Sequence, residues 1–203
     1  MKTILQLNTS ILSDEGQSSG LAKQFVAALR ERDPETQLIV RDLARDTVPH
    51  ITAERFGAFV TAKEKRNAVQ QSVIDYSDAL IEELKRADII VLGLPMYNFG
   101  VPSTLKAYFD HIARAGVTFK YTEKGPVGLL TGKKVYVFAA RGGIYASTPR
   151  DTQTAYVRDF LAFLGITDIE FVYAEGLAIS ATSREAALSK ARDEIERLVP
   201  AYA

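Results

Sequence analysis

Leu94-Pro95-Met96-Tyr97-Asn98-Phe99-Gly100-Val101-Pro102 is the stretch that decides how this chain is read. It follows Asp88-Ile89-Ile90-Val91-Leu92-Gly93, an apolar run that suits a strand buried on both faces of a parallel sheet. Ser103-Thr104-Leu105-Lys106-Ala107-Tyr108-Phe109 comes next and reads as the start of a helix running to Arg114, with Pro102 tolerated in its first turn because no donor is needed there. Residues 95–102 are therefore a loop at the carboxyl end of a strand, the place where open α/β sheets bind ligands. The loop carries two aromatics, an amide and a thioether, and Gly100 permits close approach or positive φ. The same residues would also serve an ordinary strand-to-helix connection, with Tyr97 and Phe99 tucked into the core.

Outward from this stretch the chain alternates strand-like and helix-like segments, the sign of a parallel α/β sheet. Thr3 to Leu7 is the first strand, and Gln37 to Arg41 the second, after a Gln17–Arg32 helix with Leu21, Phe25, Ala28 and Leu29 at helical spacing. Residues 42–66 read as a long connection with one short helix. A strong helical pattern from Asn67 (Val69, Val73, Tyr76, Leu80, Leu84) leads into the third strand. The segment 117–130, with alternating Val117, Phe119 and Tyr121 and a Lys-Gly-Pro turn, reads as a hairpin or extended excursion. Lys133–Ala140 is the fourth strand, Asp151–Leu164 a helix closed by Gly165, and Asp168–Tyr173 the fifth strand. Ser183 is the expected N-cap of the last helix, 183–198. No repeat or linker interrupts the pattern. Residues 1–203 thus read as one flavodoxin-like, doubly wound domain, with a five-stranded parallel sheet of order 2-1-3-4-5 and helices on both faces.

Composition narrows the function. The 203 residues carry 25 Lys plus Arg and 25 Asp plus Glu, so the net charge is zero and no uniform nucleic-acid footprint is expected. With no cysteine, disulfides, thiolate catalysis and iron–sulfur ligation by this chain are excluded. Met1–Leu7 lacks the apolar core of a signal peptide, and no apolar run reaches the roughly 20 residues that cross a bilayer. A cytoplasmic protein without a membrane role is expected. His50 and His111 stand far apart with no metal-ligand spacing, so no metal site is expected. No Gly-x-Ser-x-Gly elbow accompanies the serines.

In the 2-1-3-4-5 topology the loops after strands one, three and four converge at the switch point. The first holds Thr9, Ser10, Ser13, Gly16, Gln17, Ser18 and Ser19 before a helix, whose free N–H groups and positive end suit a phosphate. Ser13 or Ser18 could instead simply cap that helix. The second loop would lie along a planar, polar-edged ring such as a flavin, offering backbone groups and Asn98. The third supplies Gly142 and Gly143 for close approach, and Arg141 as a cation for a reduced ring, a solvent-facing charge or an ion-pair partner.

At these loops the sequence resembles the FMN-dependent NADH-azoreductases, the bacterial quinone and azo-dye reductases of the flavodoxin-like group. The marks are Pro95-Met96-Tyr97-Asn98-Phe99, Ala113-Arg114-Ala115-Gly116-Val117-Thr118-Phe119, Tyr121-Thr122-Glu123 and Arg141-Gly142-Gly143-Ile144. The resemblance implies a phosphate loop of Ser10, Gly16, Gln17 and Ser18, a ring segment of Pro95, Met96, Tyr97, Asn98 and Phe99, and a fourth-strand loop of Ala140, Arg141, Gly142 and Gly143. Gly16 stands where serine is usual, and Ala140 where serine or threonine is usual. The resemblance further implies a homodimer with one FMN per subunit near the interface. It also implies a ping-pong cycle in which NADH or NADPH reduces the flavin and a quinone, azo dye or other flat acceptor reoxidises it. No catalytic side chain is required, because the flavin carries the chemistry. Phe119, Tyr121 and the 42–66 region are expected to wall the substrate pocket. Two further functions share the fold: a one-electron carrier, which the neutral charge disfavours, and a flavin-free binding domain.

Overall fold

The computed structural model describes residues 1–202. Five parallel strands, β1 (Thr3–Asn8), β2 (Gln37–Asp42), β3 (Ile89–Pro95), β6 (Lys134–Ala140) and β7 (Asp168–Ala174), form one sheet in the order β2-β1-β3-β6-β7. Without the excursion β4 (Phe119–Thr122) and β5 (Gly125–Gly128), an antiparallel hairpin of its own, this is the expected 2-1-3-4-5 order. The helices are α1 (Gln17–Arg32), α2 (Ala53–Val60), α3 (Ala68–Arg86), α4 (Ser103–Ile112), α5 (Thr152–Phe163) and α6 (Ala181–Leu198).

The continuous apolar runs of the central strands follow from burial on both faces. Ile4, Val91 and Phe138 point to α1 and α6, meeting Phe25, Leu29 and Ile195. Leu5, Leu92 and Val137 point the other way, to Leu80 and Leu84 of α3, Tyr108 of α4 and Leu161 of α5. Parallel register places Pro95 beside Ala140, and Ala140 beside Ala174. The loops that leave these strands therefore start at one level of the sheet. Gly93 lets the first turn of α1 seat directly on β3, because a Cβ there would lie 3.1 Å from the Ser18 carbonyl oxygen.

Local chemistry sets the helix ends. Asn67 and Gln70 form a reciprocal capping box at the start of α3. Gly165 adopts φ 98° after α5, and its backbone packs against Gly128 so closely that a Cβ at Gly128 would overlap Gly165. That contact holds the hairpin against α5. Two expectations are corrected. Ser180, not Ser183, caps α6: Ser180 is extended and its Oγ accepts from Ser183 N–H at 3.0 Å, while Ser183 Oγ donates to the Gly176 carbonyl at 2.9 Å. And α4 stops at Ile112, because Thr118 Oγ1 takes the Arg114 N–H at 3.0 Å and donates to the Ile112 carbonyl at 2.6 Å, turning the chain.

Candidate functional site

The first loop ends on α1, and no side chain among the described residues caps that helix. Gly16 is its N-cap residue, in extended conformation, without a side-chain hydrogen bond. The first-turn N–H groups are therefore left for a ligand. Neither Ser13 nor Ser18 caps the helix. Ser13 Oγ is taken by Asp42, which orders the loop before the helix. Ser18 is fully buried, and its Oγ has no partner among the described residues; the same holds for Ser19 Oγ. A buried hydroxyl without a partner is costly, and a ligand oxygen at the helix end would remove that cost. Ser10, also buried, directs its Oγ to the place a Cβ at Gly16 would occupy. A side chain at 16 would have to displace it, so glycine there leaves room for the Ser10 hydroxyl. Gln17 is exposed beside this cradle.

The second loop is a tight hairpin. Tyr97 and Gly100 exchange both backbone hydrogen bonds, at 3.1 and 3.0 Å. The two residues between them have positive φ, 50° at Asn98 and 65° at Phe99. Positive φ at both central positions is the type I′ arrangement, which favours Asn first and Gly second. Asn98 fits it, but Phe99 costs about 1–2 kcal/mol in this conformation. Strain of this kind concentrates at ligand-binding sites. With the Met96 N–H donated to the Ala140 carbonyl at 3.1 Å, the loop's donors without a partner among the described residues are the Asn98, Phe99 and Val101 N–H groups and the Asn98 amide. Phe99 is half exposed and meets Tyr145 edge-on at 5.5 Å. Pro95 is buried at the base, and its carbonyl accepts from Gln153 Nε2 at 2.8 Å. Tyr97 joins this loop to the first: its hydroxyl lies 3.3 Å from Ser10 Oγ and 3.3 Å from the Ile11 N–H.

The third loop continues β6. The carbonyls of Arg141, Gly142 and Gly143 accept from Leu177, Ala178 and Gly176, which leaves the N–H groups of the two glycines as what the segment can offer. Arg141 is not a free cation at this mouth. Its guanidinium is buried and bonds Asp151 through both terminal nitrogens at 3.0 Å, Glu175 at 3.1 Å and Thr154 at 2.9 Å, with Tyr173 beneath it at 4.9 Å. Of the three roles open to it in the sequence, the ion pair is the one the fold selects. Burial pushes the Asp151 carboxyl up, but hydrogen bonds from Arg141 and Thr154 outweigh it and hold the group below its ordinary range. Glu175 Oε1 also accepts the N–H groups of Tyr145 and Ala146, each at 2.9 Å, so the pair fixes the far side of the loop.

Of the two expected pocket aromatics, Phe119 is buried, 4.3 Å from the Phe163 ring, and Tyr121 is exposed and meets Phe119 edge-on at 5.4 Å. His111 is fully buried, with Nε2 on the Pro49 carbonyl at 3.0 Å, and belongs to the packing of α4 against the 42–52 connection. Sequence reasoning missed Asp151, Thr152, Gln153 and Glu175, which hold the second and third loops; only Asp151 gave a signal, as the residue opening a helix.

A family model described as a flavodoxin-like fold matches residues 2–199. The FMN-dependent NADH:quinone oxidoreductase of Cellvibrio japonicus is 54% identical over 201 residues, covering 99% of this chain and 100% of that one. A second, numbered 6 in Burkholderia lata, is 53% identical over 96% of this chain and 98% of its own. Among solved structures, an azoreductase from Bacillus anthracis superposes with a TM-score of 0.91 at 26% identity, covering 100% of both chains. An FMN-dependent NADH-azoreductase from the same species, in complex with FMN, gives 0.87 at 30% identity over 98% of this chain and 100% of that one. This chain thus belongs to the flavodoxin-like family, within the group that holds the FMN-dependent NADH:quinone oxidoreductases.

Proposed function

We propose that this protein is an FMN-dependent NADH:quinone oxidoreductase that also reduces azo compounds. The observation that carries the proposal is the uncapped start of α1, with the buried, unpartnered Ser18 hydroxyl, joined through Ser10 and Tyr97 to the strained Tyr97–Gly100 hairpin. Such a site has a place for one phosphate and a place for one flat ring. The relatives' printed activities supply the chemistry that fits it.

In this reading Ser10, Gly16, Gln17 and Ser18 hold the cofactor phosphate through hydroxyls, N–H groups and the positive end of α1. Pro95, Met96, Tyr97, Asn98 and Phe99 line the ring. Ala140, Gly142 and Gly143 close its other edge through backbone, with Arg141 as their support. Held by these residues, FMN would supply two-electron redox chemistry between NADH or NADPH and a quinone or azo compound. The chain's own work is to orient and to stabilise charge. Fixed N–H groups at Asn98, Phe99, Gly142 and Gly143 favour the negative charge that reduction leaves on a ring edge. Phe99, Tyr145 and Tyr121 present flat apolar surface to flat acceptors. Protons come from solvent, since His111 is buried and committed to Pro49.

The whole chain, 1–203, acts as one FMN-binding domain. Two copies pair with the sites near their interface, in the cytoplasm. Exposed Phe56 and Val60 on α2 and Tyr121, Val127 and Leu129 on the hairpin supply apolar surface for that pairing. No described helix is long and apolar enough to cross a membrane.

Titrating the purified protein with FMN tests the proposal, followed by steady-state kinetics with NADH and a benzoquinone. Uptake of one FMN per chain and parallel double-reciprocal lines support the ping-pong reductase. A protein that takes up no FMN would turn out to be a binding domain on the same fold.

A further inference from the structure

We propose that Gln153 is a positioning residue for the flavin-ring loop, acting on its backbone from the first turn of α5. The inference rests on the FMN reading above and adds a residue that touches neither cofactor nor substrate.

Gln153 is 1% exposed. Its Nε2 donates to the Pro95 carbonyl at 2.8 Å and to the Gly100 carbonyl at 3.2 Å. Those carbonyls stand at the entry and the exit of the hairpin that holds Asn98 and Phe99 in the left-handed region. Both hydrogens of one amide are thus spent on the two ends of one strained loop. The opposite orientation of the amide would set its oxygen against two carbonyl oxygens, so the hydrogen-bonding pattern fixes the assignment. As placed, Gln153 Oε1 has no partner among the described residues. An amide buried with its acceptor unsatisfied is costly, and the two donor contacts are what offset it. A neighbouring residue reinforces the clamp: Thr152 Oγ1 donates to the Phe99 carbonyl at 2.5 Å.

The clamp also ties two loops together. The turn that carries Thr152 and Gln153 begins at Asp151, which is bonded to Arg141 at the base of the third loop. Asp151 caps α5 through the Thr154 N–H at 3.0 Å, so the ion pair sets where Thr152 and Gln153 stand. The ring loop and the fourth-strand loop are therefore positioned by one helix start. Preorganising the loop lowers the ordering cost of binding a flat ring.

The test compares the wild type with Gln153→Met, which keeps the length and removes both donors, and with the milder Thr152→Val. Dissociation constants for FMN and for riboflavin are measured by flavin fluorescence. Amide hydrogen exchange of the segment 95–101 is measured in the unliganded chain. The expected result is a loss of about tenfold in affinity for both flavins, the worth of one buried hydrogen bond. The FMN-to-riboflavin ratio stays unchanged because the α1 cradle is untouched, and exchange accelerates in 95–101 without a matching change in α1. Thr152→Val shifts both readouts the same way, by less. Unchanged exchange and affinity in both variants would overturn the proposal. So would a collapse of the FMN-to-riboflavin ratio, because the damage would then be general. Should Gln153→Met not fold, Thr152→Val decides alone. Should the wild type take up no flavin, the FMN reading fails, and the exchange comparison still decides whether the clamp holds the loop.

Discussion

The hydroxyl of Tyr97 stands 3.3 Å from Ser10 Oγ, across 87 residues of sequence. Ser10 faces the start of α1, and Tyr97 opens the strained hairpin after β3. One contact thus spans the phosphate end and the ring end of the proposed site. Tyr97→Phe keeps the ring and removes the link, so FMN affinity falls by about threefold to tenfold, the range for a neutral hydrogen bond. Fluorescence titration checks this, and an unchanged constant would show that the two loops bind independently.

Ser18 separates phosphate recognition from ring recognition. Its hydroxyl is buried without a partner, ready for an anionic oxygen. Ser18→Ala should weaken FMN by about tenfold or more, since hydrogen bonds to charged groups exceed neutral ones, and leave riboflavin affinity unchanged. Equal losses for both flavins would place the phosphate elsewhere.

Phe99 offers a test of backbone strain. At φ 65° a residue with a Cβ is penalised and glycine is not. Phe99→Ala keeps the strain and loses the edge contact with Tyr145; Phe99→Gly loses the contact and the strain together. The glycine variant should therefore be the more stable of the two by about 1 kcal/mol in urea denaturation, the reverse of the usual order. Alanine more stable than glycine would show that the loop relaxes out of the left-handed region.

Glu175 anchors the third loop through Arg141 and two backbone N–H groups. Glu175→Ala leaves the guanidinium to Asp151 and Thr154 and strips the Tyr145 and Ala146 N–H groups of their acceptor, and should cost about 1–3 kcal/mol. Glu175→Gln retains an acceptor for Tyr145 and Ala146 and should cost clearly less. Chemical denaturation of the two variants gives the comparison; equal costs would mean that the loop does not need that acceptor.

His111 gives a pH dependence. Burial lowers its pKa, and the bond to Pro49 only partly restores it. Its folded value lies below the unfolded value of about 6.5, so between the two the unfolded chain binds more protons. Stability from this group is complete above about pH 6.5 and declines as pH falls through that window to the folded pKa. His111→Gln should remove this part of the decline between pH 7 and pH 5, as read by urea midpoints. A decline parallel to the wild type's would assign the effect to other groups.

The sheet was legible because its physics is periodic. Apolar runs such as Ile89–Leu92, buried on both faces, and helices with one apolar stripe leave a pattern that survives without coordinates. The three loops were legible for a different reason: strand order alone brings the ends of β1, β3 and β6 together. The supports behind them were not. Gln153 bonds the Pro95 carbonyl 58 residues away and Glu175 bonds Arg141 34 residues away, and neither pairing leaves a local pattern. The burial of Phe119 was not legible either, because alternation in a short hairpin does not say which face meets α5; contact with Phe163 decides it. Ser183 was misplaced by three residues because Ser180, like Ser183, is a good cap, and only the backbone shows which one is extended.

The reductase function is tested by anaerobic stopped-flow absorbance of the FMN-loaded protein, mixed first with NADH or NADPH and then with a benzoquinone. A reductase gives full bleaching of the flavin band by a nicotinamide in a single two-electron phase and complete recovery on adding quinone. Bound FMN that neither nicotinamide bleaches would contradict the reductase reading and leave a one-electron carrier as the function of this fold.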